Sequence, residues 1–358
     1  MRLEDLDTPA LWVDFDILEA NLDRMARYAA AHGLALRPHI KTHKIPELAK
    51  LQLARGARGV TSAKVSEAWV MADAGVEDLL LAYPIWGAPK WARLRDLSRR
   101  ATVTVATDSC AHAQALAGAL GPEKTHISLY VEVDLGGGRT GLPPDEHLEE
   151  RVRRIAEAGI PIRGLMFYRF MVEDPAGGGM ARLGEALAGA LEAFHRAGVP
   201  VETISGGSTP TAYHSHLVPG LTEIRPGTYV FNDCNTVDFG GATWEDCALR
   251  VRCRVVSTSV RGTAVLDGGS KTFSDAPRHL GKGFGRLVQA PEVGCARMNE
   301  EHGLLDVSAT DCRLRPGDLV DVIPNHVCTT VNLHRELFGV RGGHVETVWP
   351  IAARGMVH

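Results

Sequence analysis

Short apolar runs and amphipathic stretches alternate along the first two thirds of the chain. Ala10-Leu11-Trp12-Val13 reads as a strand, and residues 16–32 place Leu18, Leu22, Met25 and Ala29 on one helical face. Further strands are predicted at 34–36, 59–61, 78–82, 102–106, 127–133, 162–167 and 201–204. The helices that follow strands are predicted at 45–55, 64–74, 89–100, 109–119, 144–158 and 181–197. Strands alternating with helices of this length imply parallel βαβ units. About eight such units in about 230 residues suit an α/β fold closed into a (β/α)8 TIM-type barrel better than the alternative, an open doubly wound sheet.

After Trp244 the pattern changes. Strands are predicted at 249–257, 263–266, 303–308 and 319–323, separated by turns such as Asp267-Gly268-Gly269 and Arg315-Pro316-Gly317-Asp318, and long helical periodicity stops. The expected organisation is a barrel over residues 8–243 followed by a β-rich C-terminal domain over 244–358, on which residues 1–7 can pack.

Composition narrows the class of partner. With 39 basic and 43 acidic residues the formal net charge is -4, which gives no reason to expect nucleic acid or an anionic membrane. Small molecules or a second copy of the chain are the expected partners. Met1-Arg2-Leu3-Glu4-Asp5 lacks the apolar core of a signal peptide and no run of apolar residues is long enough to span a bilayer, so the expected location is cytoplasmic. Seven scattered cysteines, an odd number, point to free thiols rather than a disulfide framework.

Candidate chemistry concentrates in Leu36-Arg37-Pro38-His39-Ile40-Lys41-Thr42-His43-Lys44, where an apolar run ends among basic and imidazole groups. An amine among other cations, partly desolvated, becomes a usable nucleophile or base. Lys41 is therefore the candidate Schiff-base lysine, with Lys44 the alternative and a solvated basic loop the plainer reading. The turn Gly136-Gly137-Gly138 lets the backbone approach a ligand just before Arg139; a solvated surface arginine is the other reading. Ser205-Gly206-Gly207-Ser208-Thr209 follows a strand and offers backbone N–H groups and hydroxyls suited to a phosphate. His326 and Cys328, two apart in an expected extended segment, would face one side and offer a nitrogen and a sulfur to one ion, a pairing that suits zinc.

Several motifs together resemble the D-threonine aldolase and D-serine dehydratase family. They are Thr8-Pro9-Ala10-Leu11, the Arg37 to Lys44 stretch, Lys64-Val65-Ser66-Glu67-Ala68, Asp134 to Gly141, Ser205 to Thr211, Arg225-Pro226-Gly227-Thr228-Tyr229, Asp267 to Lys271, Glu300-Glu301-His302-Gly303 and Pro324-Asn325-His326-Val327-Cys328. The resemblance implies a pyridoxal 5'-phosphate enzyme of the alanine-racemase-like, fold-type III class. Such enzymes are a barrel followed by a β domain, commonly homodimeric, with a divalent metal near the cofactor. By the same resemblance Arg139 contacts the cofactor's phenolic oxygen, Gly227 and Thr228 join Ser208 and Thr209 at the phosphate, and Tyr168 is an active-site aromatic. Tyr229 either lines the cofactor pocket or packs.

Within that family His-x-Cys resembles the zinc-dependent dehydratases, whereas His-x-Asp resembles the manganese- or magnesium-dependent aldolases. The expected activity is a lyase acting on a β-hydroxy D-amino acid, by elimination to a 2-keto acid and ammonia. The alternative is retro-aldol cleavage to an aldehyde and glycine; an amino-acid racemase and a non-catalytic cofactor carrier stand behind these. Arg169-Phe170-Met171 departs from the family's usual polar continuation after Tyr168, which leaves the substrate side chain open. Glu301 and His302 are expected to make structural contacts at the domain interface, and His43 to be a second base or a support.

Overall fold

A computed structural model describes residues 1–121, 126–281 and 283–358. It divides into two compact units, one of Met1–Met25, Thr42–Glu47 and Thr228–Gly355, the other of Ala26–Lys41, Leu48–Gly227 and Met356–His358. The chain thus enters each unit more than once, where the sequence predicts a single boundary at 243/244.

Eight parallel strands make up the sheet of the second unit: β2 (Ala35–Leu36), β3 (Val60–Ser62), β4 (Asp78–Leu81), β5 (Thr102–Thr107), β6 (Ile127–Glu132), β7 (Ile162–Met166), β8 (Thr203–Gly206) and β9 (Glu223–Ile224). Their order is β2-β9-β8-β7-β6-β5-β4-β3. Beyond β2 a parallel bridge joins His39 to Thr61, and Arg58 and Thr61 donate their N–H groups to Leu36 and Pro38, so the order returns on itself as a TIM-type barrel.

The strand expected to open the barrel is not in it. β1 (Ala10–Asp14) pairs antiparallel with β10 (Leu249–Ser257) and parallel with β16 (Glu336–Arg341) in the other unit's sheet. The eighth barrel strand is Glu223–Ile224, which period-2 patterning misses because it has only two residues and one is a fully buried glutamate. That glutamate is tolerated because it is paired. Arg37 Nε donates to Glu223 Oε2 at 2.7 Å, the other carboxyl oxygen accepts from Ser205 Oγ at 2.6 Å, and the Arg37 terminal nitrogens bond Asp78 at 2.7 and 3.0 Å. Replacing Arg37 with methionine leaves the buried Glu223 without its guanidinium, an expected loss of about 3–5 kcal/mol. Urea unfolding of the purified variant measures it.

Around these groups, Leu80, Ala106, Tyr130 and Met166 form an interior layer from consecutive strands. The helix α1 (Phe15–Ala31) buries Leu18, Leu22, Met25 and Ala29 as its spacing predicts. The helix Cys110–Leu120 starts one residue later than predicted because Ser109 is its N-cap, accepting the N–H of His112.

The first unit carries the second sheet, ordered β13-β14-β11-β10-β1-β16-β17, with β15 on β10 and β12 on β15. The remaining strands are β11 (Thr263–Leu266), β12 (Arg286–Leu287), β13 (Cys295–Met298), β14 (Gly303–Asp306), β15 (Leu319–Ile323) and β17 (His344–Pro350). On β10, Leu249, Val251, Cys253 and Val255 are buried in strict alternation. Among the described residues no helix is long and apolar enough to cross a membrane.

Candidate active site

Five segments carrying predicted site residues leave the C-terminal ends of barrel strands, the end at which barrel enzymes place their chemistry. Lys41 follows β2, Arg139 follows β6, Tyr168 follows β7, Ser208 and Thr209 follow β8, and Gly227 follows β9. Lys41 is exposed in a single 3-10 turn, Ile40–Thr42, and its backbone N–H donates to His39 Nδ1 at 3.4 Å. His39 is held neutral. Burial first, then the charges of Lys41, Arg225 and Arg139, push it well below the usual imidazole range.

Asp134 shapes the glycine turn by accepting the N–H groups of Gly136, Gly137 and Gly138 at 2.6–3.0 Å. Beyond it the Arg139 guanidinium lies 3.9 Å from the Tyr168 ring centroid, a cation–π stack that fixes its plane. The Ser208 hydroxyl is turned to its own chain, donating to the Arg169 and Phe170 carbonyls at 3.1 and 2.9 Å, while Thr209 Oγ1 accepts the Gly227 N–H at 3.2 Å. Between β8 and Ser208, Gly207 sits at φ +75°, and a Cβ there would lie 3.2 Å from Ile224 and Ser215.

This mouth fits a cofactor bearing a phosphate and a phenolate. Lys41, Arg139 and Arg225 are basic side chains, the turn at Gly136–Gly138 brings bare backbone to the surface, and the buried Glu132 carboxyl has an oxygen without a partner.

His326 and Cys328 lie in the first unit and come together in a way the sequence does not predict. His326 is extended but is the N-cap of a short helix, Val327–Val331, so Cys328 stands in a helical first turn and not two residues along a strand. The two side chains are hydrogen-bonded, and Cys328, with Asp233, raises the half-buried His326 to about 11. Asp233, fully buried, accepts from His326 Nδ1 and from the Val327 N–H, both at 3.0 Å. Its other oxygen accepts from the Thr236 N–H and hydroxyl, both at 2.7 Å. With Nδ1 committed to a carboxylate, Nε2 is the nitrogen an ion would take, displacing the proton that Cys328 and Asp233 favour on the ring. Thr42, the residue after Lys41, and Thr228, the residue after Gly227, place hydroxyls 3.3 and 3.9 Å from the Cys328 sulfur. Tyr229 is buried, and its carbonyl accepts from Asn232.

Sequence reasoning missed Asp233 and Glu132, and gave no role to Arg225 and Asp134, which it met only as motif residues. The Glu301 and His302 motif packs within its own unit: the N–H groups of Ser270 and Lys271 donate to the Asn299 and Glu300 carbonyls, and Lys271 pairs with Glu301 at 2.9 Å.

His112, fully buried with its ring nitrogens bonded to the Thr107 hydroxyl and the Ile85 carbonyl, is lowered chiefly by burial, as His39 is. Both bind a proton more readily unfolded than folded, so their contribution is complete above about pH 6.5 and is lost as pH falls below it. Calorimetry is expected to show the melting temperature falling from pH 7 to pH 5, with a shallower slope in His112→Gln.

Residues 13–234 match the alanine racemase N-terminal domain model and residues 248–340 the putative serine dehydratase domain model. The D-threonine aldolase of Arthrobacter sp is 33% identical over 368 residues, covering 99% of this chain and 94% of that protein. The chain belongs to the D-threonine aldolase and D-serine dehydratase family. As a member of it, the chain is a pyridoxal-phosphate-dependent lyase. Solved members superpose closely. The D-threonine aldolase from Filomicrobium marinum gives a TM-score of 0.91 at 33% identity, over 100% of this chain and 98% of that one. The D-threo-3-hydroxyaspartate dehydratase from Delftia sp. HT23 gives 0.89 at 30% identity, over 98% of each. Variants of that dehydratase with a histidine or a cysteine two positions apart replaced by alanine have also been solved, the cysteine variant in the metal-free form.

Proposed function

We propose that this lyase eliminates water from a β-hydroxy D-amino acid to give a 2-keto acid and ammonia, and that it uses a divalent ion, zinc by preference, held by His326 and Cys328. The observation that carries the reading is the donor pair: an imidazole whose Nδ1 is committed to Asp233, hydrogen-bonded to a cysteine sulfur. Nitrogen with sulfur suits zinc, whereas a carboxylate in place of the thiol would suit manganese or magnesium. The histidine and cysteine variants of the Delftia dehydratase, at the same spacing, support it.

When bound, pyridoxal phosphate supplies the electron sink for charge at Cα and the ion a Lewis acid for the β-hydroxyl. The protein's own task is to hold and to move protons. Lys41 would hold the cofactor, and its amine is the base that would take the proton from Cα. Arg139, its plane set by Tyr168, would be the partner of the phenolic oxygen. The Ser208-Thr209 turn with Gly227 and Thr228 would hold the phosphate, and neutral His39 adds no charge of its own beside Lys41.

Retro-aldol cleavage is the second reading, favoured by the Arthrobacter enzyme and by the 3-hydroxy-D-aspartate aldolase of Paracoccus denitrificans, 32% identical over 373 residues. Product identification decides. With D-threonine, elimination yields 2-oxobutyrate and ammonia; acetaldehyde with glycine would overturn it. D-Serine, D-3-hydroxyaspartate and D-phenylserine, each with and without a chelator, then define the side chain.

A further inference from the structure

One cavity in the barrel unit has no part in the scheme above. It has a volume of about 230 Å³ and lies where the segment after β7 runs into the helix Met180–Arg196. Leu135, Val172, Leu183 and Ala186 give it apolar walls, while Arg169, Arg182 and Glu173 bring charge to it. None of the residues assigned to the cofactor lines it. The turn from Glu173 to Gly179, two of its lining residues, is tightly specified. Asp174 sits at φ +50° and accepts the Gly177 N–H, Gly178 sits at φ +125°, and a Cβ at Gly179 would run into the Glu173 carbonyl.

The charged groups around this cavity are uncommitted. Among the described residues the Arg182 and Glu173 side chains have no hydrogen bond or ion pair, with each other or with anything else. Arg169 donates from Nε to the Met171 carbonyl at 3.0 Å and from one terminal nitrogen to the Gly136 carbonyl, which leaves its other terminal nitrogen without a partner among the described residues. By contrast Arg196, at the far end of the same helix, and Arg151 and Arg153, on the helix Leu148–Ala156, each pair with a carboxylate. A simple anion would satisfy the two guanidinium groups but meet like charge at Glu173; a zwitterion satisfies all three.

We propose that this cavity is a second ligand site, one that takes a small aliphatic α-amino acid. Arg169 and Arg182 hold the carboxylate, to which planar guanidinium groups are matched, Glu173 holds the ammonium group, and the apolar walls receive the side chain. The proposal stands whether the reaction at Lys41 is elimination or retro-aldol cleavage.

Saturation-transfer NMR of the cofactor-loaded enzyme with L-valine and with D-valine tests it. One enantiomer is expected to bind with a dissociation constant of about 1 mM and without changing the cofactor's absorbance. Arg182→Ala and Glu173→Gln, both at exposed positions outside the catalytic machinery, should each weaken that binding about 10-fold or more and leave turnover in the absence of valine unchanged. Valine without its amino group, 3-methylbutanoate, should bind the wild type about 10-fold more weakly than valine does. If either polar variant melts below the wild type, Ala186→Trp replaces it, since an indole at that exposed wall position fills the cavity and should remove the binding. The proposal is overturned by any of three results: no saturable binding of either enantiomer up to about 20 mM, equal affinity of variants and wild type, or equal affinity for 3-methylbutanoate. Binding that shows only as a change in the cofactor's absorbance also overturns it, because the ligand is then at Lys41.

Discussion

Replacing Lys41 with alanine is expected to abolish the visible absorbance that pyridoxal phosphate shows on a lysine and to reduce turnover about a thousand-fold or more, because the proposed role gives one side chain both the cofactor and the Cα proton. Lys44 is the competing amine, three residues on. It is 6% exposed, sits at φ +58°, and its backbone carbonyl accepts the Ala353 N–H at 3.1 Å. Lys41 is exposed at the end of a barrel strand. Absorbance spectra of Lys41→Ala and Lys44→Ala, each with added cofactor, separate the two; an unchanged spectrum in Lys41→Ala moves the attachment to Lys44.

The second large effect is expected at Cys328. If His326 and Cys328 hold the ion as proposed, Cys328→Ala removes the sulfur donor and leaves His326, oriented by Asp233, alone, so metal content measured by elemental analysis should fall to background. Elimination activity should fall about a hundred-fold or more while the cofactor absorbance stays, since the Lewis acid is lost and the Lys41 side chain is untouched. Cys328→Asp is the informative companion. A harder donor should shift the metal that restores activity from zinc towards manganese. Full activity of Cys328→Ala in chelator would refute a metal-assisted elimination.

Much of the barrel is legible in sequence because its signal is local. Runs such as 102–106 and 127–133 are bounded and apolar, and Lys41, Arg139 and Thr209 each sit immediately after one, where function collects. What escapes is whatever depends on a distant partner. Glu223–Ile224 is too short for periodicity and holds a buried charge that makes sense only beside Arg37, 186 positions away. Asp233 resembles any helix-capping aspartate until His326, 93 residues further on, is found hydrogen-bonded to it. His326 and Cys328 were legible as a pair by donor chemistry, but their geometry was not, because a five-residue helix beginning at Val327 leaves almost no periodic trace. The apolar strand at 10–13 shows the same limit from another side: alternation reveals a strand, not its sheet.

That strand also bears on how the protein can be made and dissected. β1 is central in its sheet, between β10 and β16, with Ala10 opposite Arg252 and Trp12 opposite Phe338. During synthesis the first strand to emerge waits for partners that leave the ribosome more than two hundred residues later. Most of the barrel's chain emerges before them, so the barrel has the opportunity to assemble first. No contiguous C-terminal fragment contains the whole sheet. A fragment starting near residue 228 would lack its middle strand, expose two unpaired edges and invite aggregation, whereas a circular permutant that carries residues 1–25 to the far end would restore it.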